Sequence, residues 1–170
     1  MTAKVFNESE ALARFREGRH KLFSALEDLS EEEQTQVPVV GQWTVRDVLA
    51  HILAWEEVAV QRLELFAACR ASEIRWVRSE EVDDTNARLH QERLGLSLAQ
   101  VRERLEKIGR QMEERLERLP AGLAEGTEPI AVWFPNCTYA HYQEHLDQIV
   151  AWRREVETTG GVGGQDGRAS

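Results

Sequence analysis

Between Val45 and Phe66 the chain sets Val45, Val48, Ile52, Trp55, Ala59, Leu63 and Phe66 at intervals of three and four, with no proline or glycine among them. An α-helix turns once every 3.6 residues, so this spacing collects the apolar side chains into one stripe that must face a core. Three further segments repeat the pattern. Leu12, Phe15, Leu22, Leu26 and Leu29 mark a helix over residues 9–29, and Val101, Leu105, Ile108, Met112 and Leu116 mark another. The last helix, over residues 138–156, turns Tyr142, Leu146, Ile149 and Val156 inward. Only four prolines interrupt 170 residues, and each would cost a helix interior about 3 kcal/mol. The expected fold class is all-α, a four-helix bundle.

Local chemistry marks the ends of these segments. Thr44 can accept from the free N–H groups of the second helix, with Asp47 in the reciprocal position, and Ser97 and Gln100 repeat the arrangement for the third. The run Glu31-Glu32-Glu33 reads as a solvated turn, and Val37-Pro38 stops any helix there. Residues 80–93 look helical, with an interruption at Gly95, and residues 121–135 read as a loop. The alternation over residues 130–134 is too short to build a sheet, so no strand is expected. The domain organisation is one bundle over residues 1–157 and a flexible Gly-rich tail over 158–170.

Charge narrows the partners. Against 21 Lys and Arg stand 30 Asp and Glu, a formal net charge of −9, so the basic surface that neutralises phosphates is missing and nucleic acid is not an expected partner. No apolar run reaches the roughly 20 residues of a membrane span. The N-terminus lacks the basic-then-apolar order of a signal peptide, and Cys69 and Cys137 make no disulfide framework. A cytoplasmic location is expected.

Five histidines carry the candidate chemistry. His141 and His145 stand four apart, on one face and about one turn from each other. His51 follows Val48 by three and precedes Trp55 by four, at the edge of the buried stripe. Packed helices lie about 8–10 Å apart, so an inward histidine on the second helix can meet the pair on the fourth. Three imidazoles suit zinc, nickel or iron(II), and leave a coordination position open. His20 and His90 sit among charged residues and read as solvated. Gln148 shares the face of the pair and can orient an imidazole, whereas Glu144 points about 100° round the helix. Asp47 serves either His51 or the Thr44 cap. Cys137, one turn before His141, is a fourth ligand or an inert buried thiol. Trp43, Trp55, Trp133 and Trp152 read as core or pocket wall, with Trp133 and Phe134 at a pocket rim.

The run Trp43-Thr44-Val45-Arg46-Asp47-Val48-Leu49-Ala50-His51 resembles the entry to the second helix of the DinB-like (DinB/YfiT) superfamily. His141-Tyr-Gln-Glu-His145-Leu-Asp-Gln-Ile149 is similar to its fourth-helix histidine pair. Asn86-Ala-Arg and Asn136-Cys-Thr-Tyr-Ala-His-Tyr extend the likeness, which is nearest in pattern to the ClbS/DfsB-type four-helix bundle proteins. The resemblance implies an up-down-down-up bundle with a long crossover between helices two and three, here around residues 72–84. It also implies a homodimer and a divalent metal, zinc or nickel, held by His51, His141 and His145. Members of the family include transferases and isomerases that use a low-molecular-weight thiol. The expected function is therefore a metal-dependent enzyme acting on a small electrophile by thiol transfer or hydrolysis. The alternatives are a non-catalytic protein that sequesters a toxic small molecule, and a dimer in which the metal only staples two helices.

Overall fold

The computed structural model describes residues 6–119 and 130–160. Four long helices dominate: α1 (Glu8–Ser24), α3 (Val45–Ala67), α5 (Leu98–Glu117) and α7 (Tyr139–Gly160). Three shorter helices lie between them, α2 (Glu31–Gln36), α4 (Val82–Gln91) and α6 (Ile130–Cys137). A two-residue turn joins the strands β1 (Pro38–Val40) and β2 (Trp43–Thr44), paired antiparallel with Pro38 opposite Thr44 and Val40 opposite Trp43. Gly41 opens that turn at φ 58°, in the left-handed region that a side chain would disfavour.

Side-chain contacts fix the helix directions. Arg16 of α1 pairs with Glu113 and Glu117 while Arg19 donates to the Leu105 carbonyl, so α1 and α5 are antiparallel. Arg46 donates to the carbonyls of Leu94 and Leu96 just before α5, and Arg115 pairs with Glu64. Helices α3 and α5 are therefore parallel. Arg14 lies over Tyr139 and Arg153 pairs with Asp28, which makes α1 and α7 parallel as well. This is the up-down-down-up order. Two parallel neighbours cannot be joined by a tight turn, and the chain crosses between α3 and α5 through two short 3-10 turns and α4.

The stripes become the core. Val45, Val48, Ile52, Ala59, Leu63 and Phe66 are buried, as are Val101, Leu105, Ile108, Met112 and Leu116. Burying each large aliphatic side chain contributes about 1.5–3 kcal/mol, and truncating one such as Leu53 to Ala costs about 2–5 kcal/mol. Gly18 lets α7 approach α1, because a Cβ there would meet Tyr142 at 2.9 Å. Within this core Glu56 is fully buried against Arg19 and the Tyr142 hydroxyl, which donates to it at 2.6 Å. Helix α3 ends in a Schellman motif, Arg70 N–H donating to Leu65 and Cys69 N–H to Phe66, with Cys69 at φ 57°.

Several sequence expectations need correction. The Glu31–Glu33 run is the first turn of α2, capped reciprocally by Ser30 and Glu33, where carboxylates favour the positive end of the helix dipole. A small β-hairpin exists where no strand was expected. Residues 130–135, expected in a loop, belong to α6, whose Ile130, Trp133, Phe134 and Cys137 follow helical spacing and are buried. Pro135 is accommodated inside the helix. Val156 was expected inward and is 48% exposed. Most of the Gly-rich tail lies outside the described residues.

Candidate metal centre

Two helices, α3 and α7, deliver three imidazoles to one point. The Thr44–Asp47 capping box starts α3: the Thr44 N–H and hydroxyl both donate to the Asp47 carboxylate, at 3.0 and 2.8 Å. Asp47 is thus occupied as a cap, the second of its two expected roles. Two turns into α3, His51 is buried, and α7 brings His141 and His145 against it. His141 Nε2 lies 2.9 Å from His51 Nε2 and 3.0 Å from His145 Nε2. All three donor atoms fall within 4.8 Å of one another.

Proton accounting makes this cluster unusual. Gln148 Oε1 lies 2.8 Å from His145 Nδ1. That ring nitrogen must carry the proton to donate, which leaves the Nε2 lone pair of His145 facing the cluster. No tautomer set then supplies a separate proton to each of the two Nε2 contacts, because both meet at the single Nε2 of His141. The Nδ1 atoms of His51 and His141 are buried without a hydrogen-bond partner, a cost of about 1–3 kcal/mol for each orphaned group. Burial foremost, then the His145 and His90 rings, lowers His51 to about 3. Burial, then His145 and His51, lowers His141 to about 2. His145 is lowered by burial too, although its bond to Gln148 opposes the shift. The rings are therefore neutral near pH 7, the state that coordinates a metal. Three nitrogens on a tetrahedral ion at about 2.0–2.1 Å stand about 3.3 Å apart. Two of the contacts here are 2.9 and 3.0 Å and the whole set lies within 4.8 Å, so this neutral imidazole set is compatible with a divalent cation.

The cluster opens on a cleft of about 990 Å³, whose aromatic wall includes Trp43, Trp55, Trp76 and Trp133. The hairpin sets the Trp43 ring 5.0 Å from His51, and His90 stacks on Trp43 at 5.1 Å. His90 is thus a half-buried support for the wall, in contrast to the solvated residue expected, while His20 is exposed as expected. Trp55 donates through Nε1 to Asn86 on α4 at 3.0 Å, tying the crossover to the cleft. Glu144 is exposed. Cys137 is no part of the donor group: it is buried, and burial raises its thiol to about 11. Trp133 and Phe134 are buried, and Trp133 lines the cleft directly.

Sequence reading missed Trp76 and Arg62. Arg62 stands eleven residues after His51, which is three turns plus about 20°, so both point the same way from α3. An arginine in register with a buried histidine was the available signal.

No curated protein matches the chain by sequence. Among solved structures, an uncharacterised protein from Escherichia coli UTI89 superposes with a TM-score of 0.75 at 14% identity, covering 92% of this chain and 98% of its own. A second, described as Sibling Lethal Factor Precursor - DfsB, superposes with a TM-score of 0.71 at 15% identity, covering 89% of this chain and 98% of its own. Identities this low speak to the fold. A family model adds the sequence evidence over residues 14–149, a span that contains all three clustered histidines: the chain belongs to the DinB superfamily.

Proposed function

We propose that the protein is a metal-dependent enzyme that acts on a small electrophile, by transfer of a low-molecular-weight thiol or by hydrolysis. The observation that carries this reading is the convergence of the His51, His141 and His145 Nε2 atoms at the floor of an open aromatic cleft. A divalent ion held there, zinc or nickel, supplies Lewis acidity that lowers the pKa of water or a thiol toward neutrality. The chain's own residues do the rest. Gln148 fixes the tautomer of His145, the Trp43 ring packs against His51, and the aromatic cleft walls hold an apolar substrate body. Three imidazoles are fewer ligands than a divalent ion takes, so an ion held by them would have a position for a reacting group.

The test begins with elemental analysis of protein purified without an affinity tag. It continues with transfer of cysteine thiol to 1-chloro-2,4-dinitrobenzene. The zinc- or nickel-loaded protein is expected to accelerate release of chloride, and chelation or His51→Ala to remove that acceleration. Acceleration that survives both would refute the metal-dependent reading. Sequestration is the second reading, favoured by the size and aromatic lining of the cleft. It predicts tight binding of an apolar small molecule that persists in the histidine variants, without turnover.

A further inference from the structure

Arg62 is 6% exposed on α3, and a buried arginine ordinarily has a carboxylate against it. Here none does among the described residues. Its polar contact is the Cys137 thiol, with Nη1 3.7 Å from Sγ. That thiol is neutral, since burial raises it to about 11, so it does not balance the charge. The guanidinium instead lies over two indole rings, 5.0 Å from the centre of Trp76 and 5.5 Å from that of Trp133. Trp133 adds an indole N–H that is buried and has no acceptor. Two donors, one of them a permanent cation, thus meet beside the cleft without an anion.

Their position relates them to the histidines. Arg62, Trp76, Trp133 and Cys137 line the same cleft as His51, His141 and His145. Arg62 follows His51 by eleven residues on α3, about 16 Å of helix axis between their Cα atoms. A ligand with one end at the histidine cluster reaches the guanidinium when its body is extended, because the Arg62 side chain spans only part of that rise.

We propose that Arg62, flanked by Trp76 and Trp133, is the binding subsite for the carboxylate of a small organic acid whose opposite end reaches the three-histidine cluster. The inference rests on the cleft being the working site, and it deepens that reading by naming the substrate class. A carboxylate fits better than a phosphate: one guanidinium matches a single charge and a planar two-oxygen fork. The indole faces accept a flat, apolar substrate body, and they hold the fork of Arg62 in place when the cleft is empty.

The experiment titrates the full chain, metal-free and zinc-loaded, with benzoate and with its neutral counterpart benzamide, read by quenching of tryptophan fluorescence. The metal-free protein is expected to bind benzoate about tenfold tighter than benzamide, the worth of one charge-assisted hydrogen bond. Arg62→Gln should abolish the preference while binding zinc as the wild type does, and Arg62→Lys should retain part of it. Benzoate that fails to bind, or binds no tighter than benzamide, overturns the subsite. So does a preference that survives in Arg62→Gln. Should Arg62→Gln not fold, the wild-type comparison decides on its own. The two readings separate cleanly: benzoate preference without zinc binding removes the metal and keeps the subsite, and zinc binding without the preference does the reverse.

Discussion

His141→Ala should change the sign of its effect when zinc is added. His141 Nε2 sits at the junction of both short contacts, at 2.9 and 3.0 Å, and its Nδ1 is buried without a partner. In the metal-free protein the ring therefore brings an orphaned polar group worth about 1–3 kcal/mol of destabilisation. It is only half-buried and borders an open cleft, so its removal leaves space that water can fill. Metal-free His141→Ala is expected to be as stable as the wild type or slightly more so. Zinc at a hundred times its dissociation constant stabilises a one-site protein by about 2.7 kcal/mol. For a chain of this size that raises Tm by about 5–11 °C, taking about 2–4 °C per kcal/mol. The variant, with two ligands in place of three, should lose nearly all of that rise. Differential scanning calorimetry of both proteins, with chelator and with zinc, makes the four measurements. An equal rise with zinc in both proteins would refute the reasoning, because the third imidazole would then contribute nothing.

Gln148→Leu removes the acceptor that fixes the His145 tautomer, so zinc affinity measured by competition with a chromophoric chelator should fall about 10–100-fold; unchanged affinity would show that the tautomer needs no support. Metal-free stability should fall as pH drops from about 7 to 5. The unfolded histidines take up protons near 6.5 while the folded His51 and His141, held near 3 and 2, do not, so the unfolded state binds more protons across that window. Each ring contributes on the order of 1–2 kcal/mol to this loss, and urea unfolding at the two pH values should show a smaller difference in His51→Ala. Cys69→Gly relieves a left-handed residue at the end of α3 and should raise stability by about 1 kcal/mol; a lower urea midpoint would mean that the Cys69 side chain offsets its backbone strain.

What the sequence determined by itself was whatever depends on periodicity and local chemistry. The α3 stripe, the Thr44–Asp47 cap, the Ser97–Gln100 cap and the four-residue spacing of His141 and His145 are short-range properties, and helical geometry converts them into faces without reference to the rest of the chain. The pairing of Gln148 with His145 was legible for the same reason, since three residues separate them on one helix. Helix α6 was legible too, in the spacing of Ile130, Trp133, Phe134 and Cys137, although Pro135 argued against it. Only the tertiary structure decided how faces from different helices meet. That His51 closes to 2.9 Å on His141 depends on α3 and α7 running antiparallel at one height, a consequence of packing across the whole bundle. The stacking of His90 on Trp43 depends on a hairpin and a crossover helix arriving together from distant parts of the chain. Arg62 shows the difference most plainly. Its charge and its register with His51 are written in the sequence, but that no carboxylate among the described residues lies against it is a property of the elements that pack around it. Long-range packing chooses which polar groups are partnered and which are left to face a cleft, and no local rule contains that choice.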